Sequence, residues 1–142
     1  MKKVRVIAIL LIGFLMITAC KSKPPTEADF QRVYDRYSGS LILDGATTYT
    51  VKAGDTLASI AKNLYNDGFY YPLILLASGD VITDPDKIVP GIKLTIPNLQ
   101  RNLADPGARA KIKSYLLEIA RMEEARGRID TAKGLRQHAN AL

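Results

Sequence analysis

Two segments with the character of β-strands enclose two helix-like segments between residues 48 and 98, and this order constrains the fold more than any other feature of the chain. Tyr49-Thr50-Val51 alternates between apolar and polar side chains, as a strand does. The segment from Lys93 to Pro97 has a similar character. This order predicts a β-α-α-β unit whose ends lie close together if the two strands pair antiparallel.

The two helices of this unit are indicated by turn residues and by apolar spacing. Asp55 or Thr56 is expected to cap the first helix, whose predicted apolar face consists of Leu57, Ile60, Ala61 and Leu64. Pro72 suits the first turn of a second helix that continues from Leu73 to Ala77, because proline lacks the N–H that would be unpaired there.

The residues at both ends of the unit resemble the LysM family. The resemblance is carried by Tyr49-Thr50-Val51-Lys52-Ala53-Gly54-Asp55-Thr56-Leu57 and by Pro90-Gly91-Ile92-Lys93-Leu94-Thr95-Ile96-Pro97. It implies a module that binds glycans containing N-acetylglucosamine, chiefly peptidoglycan and chitin, without catalysis and without a cofactor. The sequence departs from the family pattern near Ser78 and Ile92, where family members often carry Asn and Gln.

The resemblance also implies a groove between the first strand–helix turn and the loop after the second helix. The glycan-binding residues expected there are Gly54, Asp55, Thr56 and Leu57 on one side, and Ser78, Gly79, Asp80 and Ile82 on the other. Glycines would let a sugar approach the backbone closely. Structural roles are at least equally expected for Gly54 in the turn, Asp55 in capping and Leu57 in the core.

The first 19 residues have the pattern of a secretory leader. Lys2, Lys3 and Arg5 precede an uncharged apolar run from Val6 to Ile17. The run is shorter than the ~20 residues that a membrane-spanning helix needs, so an uncleaved transmembrane anchor is the weaker alternative.

Ile17-Thr18-Ala19-Cys20 resembles a lipobox, which implies that a diacylglycerol is attached to the Cys20 thiol and that the leader is cut before it. Cys20 is the one cysteine of the chain, so no disulfide framework competes for it. Two or three acyl chains, such as palmitate, would anchor the protein to a membrane without crossing it. In some bacteria an aspartate directly after the lipidated cysteine marks retention in the inner membrane. Because Lys21 stands at that position, the periplasmic face of the outer membrane is favoured.

Removal of the leader also changes the charge. Of 20 basic residues, 17 would remain against 14 acidic ones, which gives a net charge of +3 in place of +6. With no basic stripe in the sequence, nucleic acid is not expected as a partner.

Segments on both sides of the module complete an expected α+β fold. Residues 20–25 form a lipidated tether, and residues 26–47 form a helix capped by Thr26 followed by Leu41-Ile42-Leu43, a short strand or an extended segment. Residues 105–142 form a helical hairpin, capped by Asp105 and broken at Gly127. One hairpin helix carries an apolar stripe that must pack on the module or on another protein: Ile112, Tyr115, Leu116, Ile119 and Met122.

Neither a catalytic nor a metal site is expected. His138 is the sole histidine and is expected on the surface, and the aspartates at 80, 84 and 86 lack the full calcium-loop pattern. The sequence therefore predicts a membrane-anchored, non-enzymatic lipoprotein of the cell envelope that binds peptidoglycan. The alternative is an envelope adaptor whose C-terminal helices bind a protein partner and whose LysM fold is structural.

Overall fold

The computed structural model describes residues 23–142. The predicted leader, Cys20 and the first residues of the tether lie outside the described residues. The chain order of the elements is α1 (Glu27–Tyr37), β1 (Thr47–Thr50), α2 (Leu57–Tyr65), a 3₁₀ turn (Gly68–Tyr70), α3 (Tyr71–Ala77), a second 3₁₀ turn (Pro85–Lys87), β2 (Lys93–Ile96), α4 (Leu99–Ala104), α5 (Pro106–Ala125) and α6 (Ile129–Ala141). The predicted α+β class is confirmed.

The two strands pair antiparallel, which is the arrangement that brings the ends of the unit close together. Thr47 lies opposite Ile96, and Thr50 lies opposite Lys93. Beyond the strands, the Val51 N–H donates to the Ile92 carbonyl at 2.9 Å, and the Val51 carbonyl accepts from the Gly91 N–H at 2.9 Å. The unit therefore begins and ends at one two-stranded sheet, and α2 and α3 lie between its strands in sequence.

The core of the unit lies where α2 and α3 meet the sheet. Ile60, Leu73 and Leu94 are each almost completely buried there. The predicted α2 face is confirmed for Leu57, Ile60 and Ala61, but Leu64 is 47% exposed and borders a shallow groove with Tyr65, Ile96 and Pro97. Leu64 therefore lies at the edge of this core.

The C-terminal hairpin packs on the rest of the protein through the stripe that the sequence predicts. Ile112, Tyr115, Leu116, Ile119 and Met122 are all buried, and α5 contacts α1, α3, α4 and α6. The Tyr115 ring lies 5.3 Å from the Tyr37 ring of α1, centroid to centroid. The adaptor alternative depended on exposure of this stripe, which the structure does not show.

The helix α4 is not predicted from the sequence. It contacts residues 41–43, for which the sequence predicts either a short strand or an extended segment. Leu41-Ile42-Leu43 is not a strand. The buried Asn102 side chain of α4 accepts from the Ile42 N–H at 2.8 Å, and donates to the Ile42 carbonyl at 2.9 Å and to the Asn98 carbonyl at 2.9 Å. One side-chain amide thus satisfies both backbone groups of Ile42, as a neighbouring strand would.

The His138 side chain is 25% exposed, and both of its ring nitrogens have partners within the protein. Its Nε2 lies 2.7 Å from an Asp67 carboxylate oxygen, and its Nδ1 lies 2.8 Å from the Gly134 carbonyl oxygen. The imidazole also lies 4.8 Å from the Phe69 ring, centroid to centroid. It therefore joins α6 to the 3₁₀ turn of the module.

Within residues 23–142, no helix combines the length and the apolar character needed to cross a membrane.

Replacement of Asn102 should test the role of α4. We expect Asn102→Ala to lower the free energy of unfolding by about 2–3 kcal/mol, because three hydrogen bonds are lost and the backbone groups of Ile42 lose their partner. Asn63→Ala, at an exposed position of α2, should change it by less than about 0.5 kcal/mol. Urea unfolding of both variants measures the difference, and equal midpoints would contradict the role given to Asn102.

Candidate functional site

The turn after β1 carries four of the predicted glycan-binding residues. Gly54 has a φ of +86°, a left-handed conformation that favours glycine. The Asp55 carboxylate accepts from the Lys52 N–H and from the Tyr49 hydroxyl, each at 2.8 Å. Thr56, rather than Asp55, caps α2 by accepting from the Ser59 N–H at 3.0 Å. Gly54 and Asp55 thus shape the turn that presents Thr56.

These hydrogen bonds also set the charge of the turn. The backbone N–H of Lys52, and after it the Tyr49 hydroxyl, hold the pKa of the Asp55 carboxyl below its usual value. The hydrogen bond to Asp55 raises the pKa of the Tyr49 phenol. At neutral pH, Asp55 is therefore a carboxylate already engaged by its own turn.

A cavity of about 160 Å³ opens beside the N-terminal end of α2. Thr56, Leu57 and Ala58 form one wall, and Pro85 and Asp86 form the opposite wall. The remaining lining comes from α3 and from the C-terminal hairpin: Tyr71, Glu123, Arg128 and Thr131. We call this cavity the α2 groove. Of the four glycan-binding residues predicted in the strand–helix turn, Thr56 and Leu57 line this cavity, and the hairpin supplies lining residues that the LysM resemblance did not imply.

Two arginines connect the hairpin to the second 3₁₀ turn. Arg126 donates to Asp84 at 2.9 Å and to Asp86 at 2.8 Å, and its guanidinium lies 4.1 Å from the centroid of the Phe30 ring. Arg128 donates to Asp86 and to the carboxylate of Glu123, a residue that is only 1% exposed. The groove wall at Pro85–Asp86 is therefore held by charge pairs to the hairpin.

Burial and charge in this network alter the titration of its members. The hydrogen bonds to Glu123 raise the pKa of the Arg128 guanidinium. Burial raises the pKa of the Tyr71 phenol, and the Glu123 carboxylate raises it further. Near neutral pH the Arg128 guanidinium is therefore charged and the Tyr71 phenol is neutral.

The second predicted set does not line the α2 groove. Gly79, Asp80 and Ile82 line a separate cavity of about 410 Å³, together with Glu27 and Lys87 among others. Ser78 is fully buried, and its hydroxyl accepts from the Thr95 N–H at 2.9 Å and lies 3.3 Å from the Thr95 carbonyl oxygen. The structure thus separates the two predicted sets, and Ser78 joins α3 to β2.

The backbone at Gly79 is closely approached by a protein side chain. A Cβ added at Gly79 would lie 1.8 Å from Cε2 of the Tyr34 ring of α1. The space expected to admit a sugar is therefore occupied by an aromatic ring, and the absence of a side chain at Gly79 permits the packing of α1.

Sequence reasoning missed most of the α2 groove. Among the missed residues, Pro85 and Asp86 lie in the loop after the second helix of the module, whereas Glu123, Arg128 and Thr131 are distant in sequence and no local pattern indicates that they reach the module. Within the part of the chain that the structure describes, no group of three or more His, Cys, Asp or Glu side chains is arranged to hold a metal ion.

Replacement of Gly79 should report on the contact with Tyr34. We expect Gly79→Ala to lower the free energy of unfolding by about 1–3 kcal/mol, because the Tyr34 ring must move. Gly39→Ala is the matched control, since a Cβ there meets nothing within 4 Å. Thermal unfolding of the two variants measures the difference. Unchanged stability together with unchanged Tyr34 ring signals in NMR spectra would contradict the close packing.

A family model and several known proteins match the module. The model described as "LysM domain" matches residues 49–97. The potassium binding protein Kbp of Escherichia coli O6:H1 (strain CFT073) is 47% identical over 49 residues, which are 34% of this chain and 33% of Kbp. No solved structure matches the chain.

Two further relatives match a similar length of sequence. An uncharacterized protein of Deinococcus radiodurans is 49% identical over 53 residues, which are 37% of this chain and 20% of that protein. Esterase Rv1288 of Mycobacterium tuberculosis (strain H37Rv) is 44% identical over 61 residues, which are 43% of this chain and 13% of the esterase. The chain thus spans a third or less of the length of these curated relatives. Residues 49–97 of this chain are a LysM domain.

Proposed function

We propose that this protein is a membrane-anchored, non-catalytic lipoprotein that binds peptidoglycan through its LysM domain. The observation that carries the proposal is the LysM domain at residues 49–97, whose strand–helix turn borders an open groove. LysM domains bind peptidoglycan and other N-acetylglucosamine glycans, and we propose the α2 groove as the place where this one does so.

The lining of the α2 groove suits a neutral N-acetyl sugar. Leu57 and Tyr71 are almost completely buried, and the small exposed parts of their side chains supply an apolar floor for the acetyl methyl group. The hydroxyls of Thr56 and Thr131 are the neutral side-chain groups available to hydrogen-bond sugar hydroxyls or the acetamide. The charged side chains at the rim already pair with one another, which favours a ligand that brings no charge of its own.

The charge pairs also support a binding role over a catalytic one. A glycosidase needs two carboxyl groups free to act as acid and as base or nucleophile. The two carboxylates that line the α2 groove are Asp86 and Glu123, and Arg126 and Arg128 hold them at hydrogen-bond distance. This arrangement suits a rigid groove wall better than a reacting pair.

The proposed lipid anchor at Cys20 complements a single glycan-binding module. One small groove makes few contacts, so its affinity should be low. A short tether keeps the module beside the membrane, where the effective concentration of nearby wall glycan is on the order of mM. Wall glycan could then occupy the α2 groove even though the intrinsic affinity of the groove is low.

Sedimentation with purified peptidoglycan tests glycan binding. We expect residues 21–142 to pellet with the polymer, and Ala58→Gln to weaken binding about tenfold, which corresponds to ~1.4 kcal/mol, because the longer side chain fills the groove. Ala110→Gln is the matched control, since Ala110 is also exposed on a helix and does not line the groove. The proposal fails if the unchanged chain stays in the supernatant while an established LysM protein pellets.

Cell fractionation tests the anchor separately. We expect the full chain to be found with membranes and to carry acyl chains on Cys20 by mass spectrometry, and Cys20→Ser to remove these acyl chains, because the thiol is the predicted attachment atom. A Cys20 without acyl chains in membrane-bound wild-type protein would overturn the anchor and leave the glycan-binding result unaffected.

A further inference from the structure

A group of basic side chains gathers where the described chain begins. Lys23, Arg32, Arg36 and Arg121 line one surface depression of about 340 Å³, formed by the N-terminal segment, α1 and α5. These residues lie up to 98 positions apart in the sequence, so only the packing of α1 on α5 brings them together. We call this surface the basic face.

The basic face is positive toward solvent even though it contains acidic residues. Asp29 pairs with Arg32, and Glu118 pairs with Arg36 and Arg121. The side chains of Arg32, Arg36 and Arg121 are 70%, 61% and 67% exposed, respectively. The side chains of the acidic partners are less exposed, at 34% for Asp29 and 18% for Glu118. Four basic and two acidic residues give a local charge of +2, and the positive groups are the outer ones.

The basic face and the α2 groove lie on opposite sides of α5. In a helix of 3.6 residues per turn, Glu118, Arg121, Met122 and Ala125 fall within an arc of roughly 100° and face the basic depression. Glu123, which lines the α2 groove, lies roughly 150° from the middle of that arc. A surface that contacts the basic face would therefore leave the groove open on the other side.

We propose that the basic face docks on the anionic headgroups of the membrane that holds the lipid anchor. The chain from Cys20 to Lys23 can span no more than about 11 Å, so a bilayer that holds an acylated Cys20 lies next to this face. Exposed arginines next to an anionic bilayer are attracted to its phosphate groups. Docking orients the protein so that the α2 groove points away from the bilayer, toward the glycan.

This inference rests on the membrane anchoring in the proposed function, but its test does not depend on acylation or on glycan. Among residues 23–142, the buried hydrophobic core extends from Phe30 to Ala139, so residues 21–142 contain all of this core. The experiment is sedimentation of this non-acylated chain with vesicles of equal parts phosphatidylglycerol and phosphatidylcholine, compared with vesicles of phosphatidylcholine alone.

We expect the chain to sediment with the anionic vesicles, to do so less as salt is added, and to remain in solution with phosphatidylcholine. A basic side chain near an anionic surface strengthens binding by roughly fivefold. Combined substitution of Arg32→Gln, Arg36→Gln and Arg121→Gln turns the local charge from +2 to −1, and should weaken partitioning by at least about tenfold.

The matched control removes three positive charges elsewhere. Lys62→Gln, Lys93→Gln and Lys133→Gln change exposed residues of α2, β2 and α6 that do not line the basic face. This control should retain most of the vesicle binding, and circular dichroism should show that both triple variants are folded. Equal loss in the two triple variants, or no preference of the wild-type chain for anionic vesicles, would overturn the proposal.

Discussion

The charge network between the hairpin and the second 3₁₀ turn is the interaction on which the arrangement of this protein most depends. Glu123 is almost completely buried, and a buried carboxylate is tolerated only when it is paired and hydrogen-bonded. Arg128 supplies that pairing and also contacts Asp86, while Arg126 contacts Asp84 and Asp86. Without Arg128, Glu123 would lose its arginine partner, and without Arg126, Asp84 would lose its own.

This network makes the hairpin part of the site. A β-α-α-β unit can bring only residues of the LysM domain to a groove, whereas here one wall comes from Glu123, Arg128 and Thr131. The wall is held in place by the buried stripe of α5 and by His138, which contacts Asp67. The shape of the α2 groove therefore depends on residues outside the matched domain, and ligand preference can differ among proteins that share this module.

α1 has a comparable double role. Its buried side carries Phe30 and Val33 into the core, and Tyr34 covers Gly79, where the LysM resemblance placed a glycan contact. Its outer side supplies Arg32 and Arg36 to the basic face. The same helix thus closes one region of the module and presents charge in another.

The sequence sufficed to predict the order of the module, the break at Gly127 and the caps at Thr26 and Asp105, because these depend on residues close together in the chain. The lipobox at Cys20, which rests on neighbouring residues of the sequence, stays a prediction. The sequence did not predict the Asn102 bridge to Ile42, the Tyr34 ring over Gly79 or the arginine contacts of Asp86, because each joins residues that are 40 or more positions apart. Tertiary packing decided those contacts. As a result, Gly79, Asp80 and Ile82 line a separate cavity, and the hairpin contributes lining residues to the α2 groove. The hairpin lies there because its apolar stripe is buried against the rest of the fold.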